Sequence, residues 1–175
     1  MFGIGIVGAG MASKPHALAL KALADRIAVR GIYRRDRAKL EAFCAEYGFP
    51  PAESYEAMLA DPSIDAILIL TPPNAREALV AAAAETGKHV LMEKPVERTT
   101  AAAERIVEVA EAAGVRLGII FQHRFRAASQ KLAALLAEGR SGRCRRCRSP
   151  CRGGGRRATT TSRAAAPMRR MAAGC

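Results

Sequence analysis

The chain has 175 residues, half of them hydrophobic, few of them aromatic, and a formal net charge of +12. That length suits one domain with a full core and is too short for two; no apolar run nears the ~20 residues of a membrane span, and the apolar start lacks the basic leader of a secretion signal, so a cytoplasmic protein is expected. The charge is unevenly placed: from Arg140 onward there are eleven arginines and no acid, leaving 17 basic against 16 acidic residues before it, and four of the five cysteines share that tail.

Phe2–Val7 is an apolar run that reads as a buried strand, Gly8-Ala9-Gly10 turns the chain, and residues 12–24 carry apolar side chains at helical spacing. Ile27–Tyr33 reads as a second strand and Arg37–Tyr47 as a second helix, closed by Gly48. Pro50-Pro51 marks a loop, residues 55–59 a short helix, and Asp61-Pro62 a turn. Residues 66–70 form a continuous apolar run, as expected of a parallel strand covered on both faces. Thr71-Pro72-Pro73-Asn74 ends it, and a helix follows to Thr86 with Gly87 as its cap. Residues 90–92 are the next strand, then Glu93-Lys94-Pro95. Thr99 or Thr100 can cap a helix to Ala113, with Glu104 placed for a capping interaction. Residues 117–121 make a fifth strand and 127–138 a last amphipathic helix.

Strands alternate with helices across short loops, which predicts an α/β fold: a doubly wound parallel sheet with right-handed crossovers. The expected domains are a dinucleotide-binding Rossmann domain over 1–125, a helix over 126–140, and an Arg/Ala/Gly/Cys-rich tail over 141–175 with no core to join.

A strand, a glycine turn and a helix in that order form a phosphate cradle. Gly8 permits the tight turn, Gly10 lets backbone N–H groups approach a pyrophosphate, and the helix N-terminus adds partial positive charge. The third glycine of the usual G-x-G-x-x-G spacing is Ser13, still small enough for helix to pack on strand. Ligands of such sheets sit at the carboxyl ends of the strands. Residues 8–12, Arg34-Arg35, 71–74, 93–95 and 122–125 are placed there.

Gly8-Ala9-Gly10-Met11 with His16, Thr71-Pro72-Pro73-Asn74, residues 87–95 (Gly-Lys-His-Val-Leu-Met-Glu-Lys-Pro) and Gln122-His123-Arg124-Phe125 together resemble the Gfo/Idh/MocA oxidoreductases, relatives of glucose–fructose oxidoreductase and inositol dehydrogenase. The resemblance covers about residues 1–139, that family's N-terminal cofactor domain. It implies a nicotinamide cofactor, NADP or NAD, and reversible oxidation of a secondary alcohol on a sugar, cyclitol or related polyol. It also implies that Gly8, Gly10, Met11 and Ala12 hold the pyrophosphate, and that Thr71, Pro72 and Asn74 line the path to the nicotinamide. Glu93, Lys94 and Gln122 join the cofactor set; Lys94 and Arg124 are placed to reach substrate. Lys94 is the catalytic candidate: an ammonium near the carbinol can polarise the forming carbonyl oxygen or relay its proton, above all where burial lowers its pKa. The other reading of Lys94 is a surface lysine before a proline. A cis Lys94–Pro95 bond is also implied, X–Pro being the bond where cis is accessible.

Three features depart from the family. Its ribose-binding acid is replaced by Arg34, followed by Arg35; arginine attracts a 2′-phosphate that a carboxylate repels, which favours NADP over NAD, unless both arginines are merely solvated. Arg76 stands where many relatives carry histidine. The family's C-terminal substrate domain, through which it commonly forms homo-oligomers, is not recognisable after Gly139, so the chain is expected to bind cofactor without turning over.

Elsewhere, His16 is expected to pack or hydrogen-bond, His123 to be structural and Cys44 to be a buried thiol. Cys144, Cys147 and Cys151 have one metal-like spacing but no following histidine, so no metal is expected. The arginines could hold nucleic-acid phosphates, yet no aromatics interleave them for base stacking, which argues against that partner and leaves it as a rival reading. The tail composition also matches a GC-rich gene read out of frame. The nucleotide sequence tests this: stop codons in the shifted frame after Gly139 would sink the idea.

Overall fold

The computed structural model describes residues 1–10 and 12–139. Met11 and every expectation for the tail beyond Gly139 lie outside the described residues. The chain divides into two units, Met1–Ala133 and Ala134–Cys175. The first holds the sheet and its covering helices. Of the second, the described part completes the last helix and closes with Gly139 N–H bonded to Leu136 O.

Five parallel strands, β1 (Phe2–Val7), β2 (Ile27–Tyr33), β3 (Ala66–Ile69), β4 (His89–Glu93) and β5 (Leu117–Ile120), lie in the order β2-β1-β3-β4-β5. The helices are α1 (Ser13–Ala22), α2 (Arg37–Tyr47), α3 (Tyr55–Ala60), α4 (Arg76–Glu85), α5 (Thr100–Ala112) and α6 (Ala127–Ala137). The expected doubly wound sheet is therefore present. The central strands are apolar on both faces because each face meets helices. Ile4, Ile6, Ala66 and Leu68 pack with Leu20 of α1 and Leu40 and Cys44 of α2. Val7, Ile67 and Ile69 pack with Tyr55, Met58, Val80, Ala83 and Ile106 on the other side.

Local signals set the helix ends. Asp36 caps α2 by accepting from Lys39 N at 3.1 Å, and Gly48 ends it at φ 71°. Ser54 caps α3, and Thr99 rather than Thr100 caps α5, accepting from Ala102 N at 3.3 Å. The expected help from Glu104 is corrected: with Thr99 as cap, the third helical residue is Ala102, and Glu104 lies too far along to reach back. The helix after the proline turn begins as a 3₁₀ turn over Pro73–Ala75, because proline supplies a fixed φ but no N–H. Strands β3 and β5 each stop one residue short of the apolar run.

Candidate functional site

The carboxyl ends of β1, β2 and β3 open onto a cleft of about 810 Å³. Its lining includes Gly8, Gly10, Arg34, Arg35, Thr71, Pro72 and Asn74, so seven of the sequence-derived site residues stand together.

The glycine turn is held from beneath. Gly8 N–H donates to Tyr33 O at 2.9 Å, the Arg34 guanidinium donates to Ala9 O, and Ser13 donates to Gly10 O through both N–H (3.1 Å) and hydroxyl (2.5 Å). Gly8 needs its freedom: φ is +91°, and a Cβ would stand 3.1 Å from the backbone of Leu70 and Thr71. Gly10 differs, since a Cβ there would meet nothing within 4 Å. Its surface faces open space at the mouth of α1. Ser13 is buried at 3% exposure, so the small residue at the third position does let α1 sit close on the sheet.

Helix α1 starts at Ala12 without a side-chain cap and without an acid in its first turn. Ser13 N–H is taken by Gly10 O and Pro15 has no N–H, so the remaining first-turn donors and the positive end of the dipole are left for an external acceptor. Across the cleft, Thr71 Oγ1 is buried and has no hydrogen-bond partner among the described residues. An orphaned hydroxyl, an uncapped helix end, an open glycine and two arginines make a donor set that fits a bulky phosphorylated ligand such as a dinucleotide. Two acids share the lining, Asp36 and Glu56. Asp36 is occupied: it caps α2 and pairs with Lys39 Nζ at 3.0 Å, and these bonds hold its carboxyl below its ordinary range. Tyr55 closes the floor, its hydroxyl donating to Leu79 O at 2.6 Å, and burial pushes the phenol above its ordinary value.

A second group lies at the end of β4. His16 Nε2 and Glu93 Oε1 are 2.9 Å apart and both side chains are mostly buried. The other Glu93 oxygen accepts from Lys94 N at 3.0 Å. His16 thus has the hydrogen-bonding role expected of it. The Lys94–Pro95 bond is cis. Lys94 itself is exposed, and so is Pro95 beside it.

Gln122 and Arg124 lie in a 3₁₀ turn after β5, exposed and outside the cleft lining, with the Arg124 guanidinium 5.5 Å from the centre of the Phe121 ring. Ala12 is exposed at the cap of α1. Cys44 is a buried free thiol, raised in pKa by that burial.

Sequence reasoning singled out Arg76 only as a departure, yet it is 3% exposed and central. Its Nε and Nη2 donate to Thr71 O at 3.0 and 2.8 Å, and Nη1 donates to Glu93 O and Pro95 O. Burial lowers its pKa, and Glu93 and Glu97 pull it back. Nothing in the local sequence marks a buried arginine that serves carbonyls seventeen and nineteen residues away.

No described helix is long and apolar enough to cross a membrane. Among the described residues no cluster of His, Cys, Asp or Glu could hold a metal.

Comparison with known proteins agrees with this geometry. Residues 2–121 match the model of the oxidoreductase family with an NAD-binding Rossmann fold, GFO_IDH_MocA. D-xylose 1-dehydrogenase (NADP(+)) 2 of Haloferax volcanii is 38% identical over 78% of this chain and 42% of its own length. Myo-inositol 2-dehydrogenase of Thermotoga maritima is 32% identical over 80% of this chain and 42% of its own. The crystal structure of the WlbA dehydrogenase from Bordetella pertussis, in complex with NADH and UDP-GlcNAcA, superposes with a TM-score of 0.76 at 32% identity, covering 81% of this chain and 42% of that one. The chain spans about two fifths of the length of these relatives.

Proposed function

Because the chain belongs to the Gfo/Idh/MocA oxidoreductase family, whose NAD-binding Rossmann domain it carries, we propose that it binds NADP in preference to NAD and serves oxidation of a secondary alcohol on a sugar, cyclitol or related polyol. One observation carries the binding half of this reading: the open Gly10 at an uncapped helix end faces a cleft that also holds an orphaned hydroxyl and two arginines. Gly10, Met11 and Ala12 would hold the pyrophosphate through backbone N–H groups and the α1 dipole, with Gly8, whose own N–H goes to Tyr33 O, shaping the turn beneath it. Thr71, Pro72 and Asn74 would line the adenosine-to-nicotinamide path, with Glu93, Lys94 and Gln122 at its nicotinamide end. When bound, the nicotinamide ring supplies the hydride acceptor or donor.

The NADP preference rests on charge. Arg34 and Arg35 stand where a ribose-binding acid would, and the nearby Asp36 is neutralised by its cap and by Lys39. A 2′-phosphate would meet two cations beside a carboxylate already engaged by Lys39, with Glu56 the other acid of the lining. Names of relatives point the same way in one case, a dehydrogenase of NADP(+), and the other way in the complex with NADH.

Lys94 would donate to the carbinol oxygen, polarising the forming carbonyl or relaying its proton, with Arg124 orienting substrate. Its exposure in this chain leaves the ammonium solvated, a weaker electrostatic partner than a buried one. We therefore propose binding without appreciable turnover by these 175 residues alone. The cytoplasmic setting expected from the sequence is part of the same proposal. Calorimetry with NADPH and with NADH is the test. Heat from NADPH at lower concentration than from NADH is expected; no binding of either would defeat the reading, and robust polyol oxidation would defeat its second clause.

A further inference from the structure

Two turns flank the proposed cofactor path, 71–74 after β3 and 93–95 after β4, and one buried side chain touches both. The Arg76 fork closes on Thr71 O with two N–H groups, while Nη1 reaches Glu93 O and Pro95 O, the carbonyls on either side of Lys94. All four bonds go to main-chain oxygens, so the guanidinium here is a brace for backbone and not half of an ion pair. The Lys94 N–H is held independently by Glu93 Oε2, whose partner oxygen meets His16 on α1. The backbone around Lys94 is therefore held at three atoms from two helices, Glu93 O and Pro95 O by Arg76 of α4 and Lys94 N by the Glu93 carboxylate that meets His16 of α1.

We propose that Arg76 is a positioning residue: its guanidinium locks the two turns to one another, so that Thr71 and Lys94 keep a set spacing before any ligand arrives. The chemistry demands arginine. A planar fork with five N–H groups can serve carbonyls on two sides at once, whereas a lysine ammonium is a point donor that reaches one group of acceptors. Losing the fork leaves three partly buried carbonyls without this partner, and each turn can then relax towards water and away from the other. That this spacing matters for binding rests on the function proposed above; the lock itself does not.

Hydrogen exchange of the unliganded chain tests the lock directly. In Arg76→Met, exchange over 71–75 and 93–97 should rise together by about tenfold or more, roughly one lost hydrogen bond to a charged group, while β1 and β2 stay unchanged. Should that variant fail to fold, Arg76→Lys serves: exchange should rise in one of the two turns and not in the other. Unchanged turns, or a uniform rise across the sheet, would overturn the lock. The binding consequence is read as a split between NADPH and 2′,5′-ADP, which carries only the adenosine end. Arg76→Lys should weaken NADPH by about tenfold and leave 2′,5′-ADP within about twofold, since only the longer ligand must bridge both turns. Equal loss of both would reduce Arg76 to general support of the fold. If the unaltered chain binds neither, the proposed function fails while the exchange result still decides the lock.

Discussion

Leu68 of β3 and Leu91 of β4 are register partners on the same face of the sheet, yet one is 2% exposed and the other 37%. The difference lies above them. Helices α1 and α2 cover β1, β2 and β3 on that side, and their residues appear in Leu68's cluster. Val90 and Met92, on the opposite face of β4, are fully packed against α4 and α5. So β3 is a strand buried on both faces and β4 is buried on one. The turns at their ends differ too: the one after β3 lines the open cleft with Thr71 partly buried, while Lys94 and the Gln122 turn stand exposed outside that lining. In a parallel sheet a strand's burial is a property of the helices laid over it, and so is the shelter of its functional end.

Paired substitutions break that comparison most directly. Leu68→Ala should cost about 2–5 kcal/mol, the range for emptying a fully packed core position, and Leu91→Ala about 1 kcal/mol or less. Urea unfolding of both variants checks it; equal losses would mean that Leu91's face is covered in solution. The glycines give a second pair. Gly8→Ala must hold a non-glycine residue at φ +91° against backbone 3.1 Å away, which should cost about 1–3 kcal/mol. Gly10→Ala meets open space, so stability should change by less than about 0.5 kcal/mol while NADPH binding falls, because the new methyl occupies the approach to the turn. A Gly10→Ala chain that binds NADPH as before would move the pyrophosphate elsewhere.

A third variant sharpens the electrostatics of the sheltered end. Arg34→Asp exchanges attraction for repulsion at the 2′ position and should shift the NADPH-to-NADH affinity ratio by about tenfold or more towards NADH, the scale of one charge-assisted bond. Because Arg34 also donates to Ala9 O, Arg35→Asp is the cleaner companion: exposed and without that bond, it should shift the ratio with no loss of stability. An unchanged ratio in both would remove the arginine pair from the site.

What was legible in the sequence follows the same division. Apolar runs such as 66–70 announced the strands, and Gly48 and Gly87 marked helix ends through conformations that other residues resist. The cleft residues were legible because each follows a strand directly, and a parallel sheet gathers all such positions at one edge. Leu91's exposure was not, since residues 90–92 read as one apolar run whether or not a helix lies over them. Arg76 and the His16–Glu93 contact were hidden for a related reason. Their partners are distant in sequence, and neither a buried arginine nor a buried acid has a local signature. Glu104 misled because it stands four residues after Thr100 and five after Thr99, whereas a capping box needs the acid three residues on.

The smallest effect belongs to the surface pair that ties the two covering helices of the half-buried side. Glu77 on α4 and Arg105 on α5 meet through two parallel bonds, Nε to Oε1 at 2.7 Å and Nη2 to Oε2 at 3.0 Å. Both side chains are about half exposed, so water and salt screen most of the attraction. The fork geometry favours one arrangement of α5 on α4, and Arg105 holds the Glu77 carboxyl below its ordinary value. A carboxyl depressed in the folded state contributes stability above its unfolded pKa, and that contribution fades as pH falls through the folded value. Glu77→Gln should therefore lower the midpoint of thermal unfolding slightly at neutral pH, less than any variant above, and make no difference once acid has protonated Glu77 in both states. High salt should erase the neutral-pH difference too. A loss that persisted in acid or in salt would mean the glutamate works by packing rather than by charge, and that α5 is held over β4 and β5 by something other than this fork.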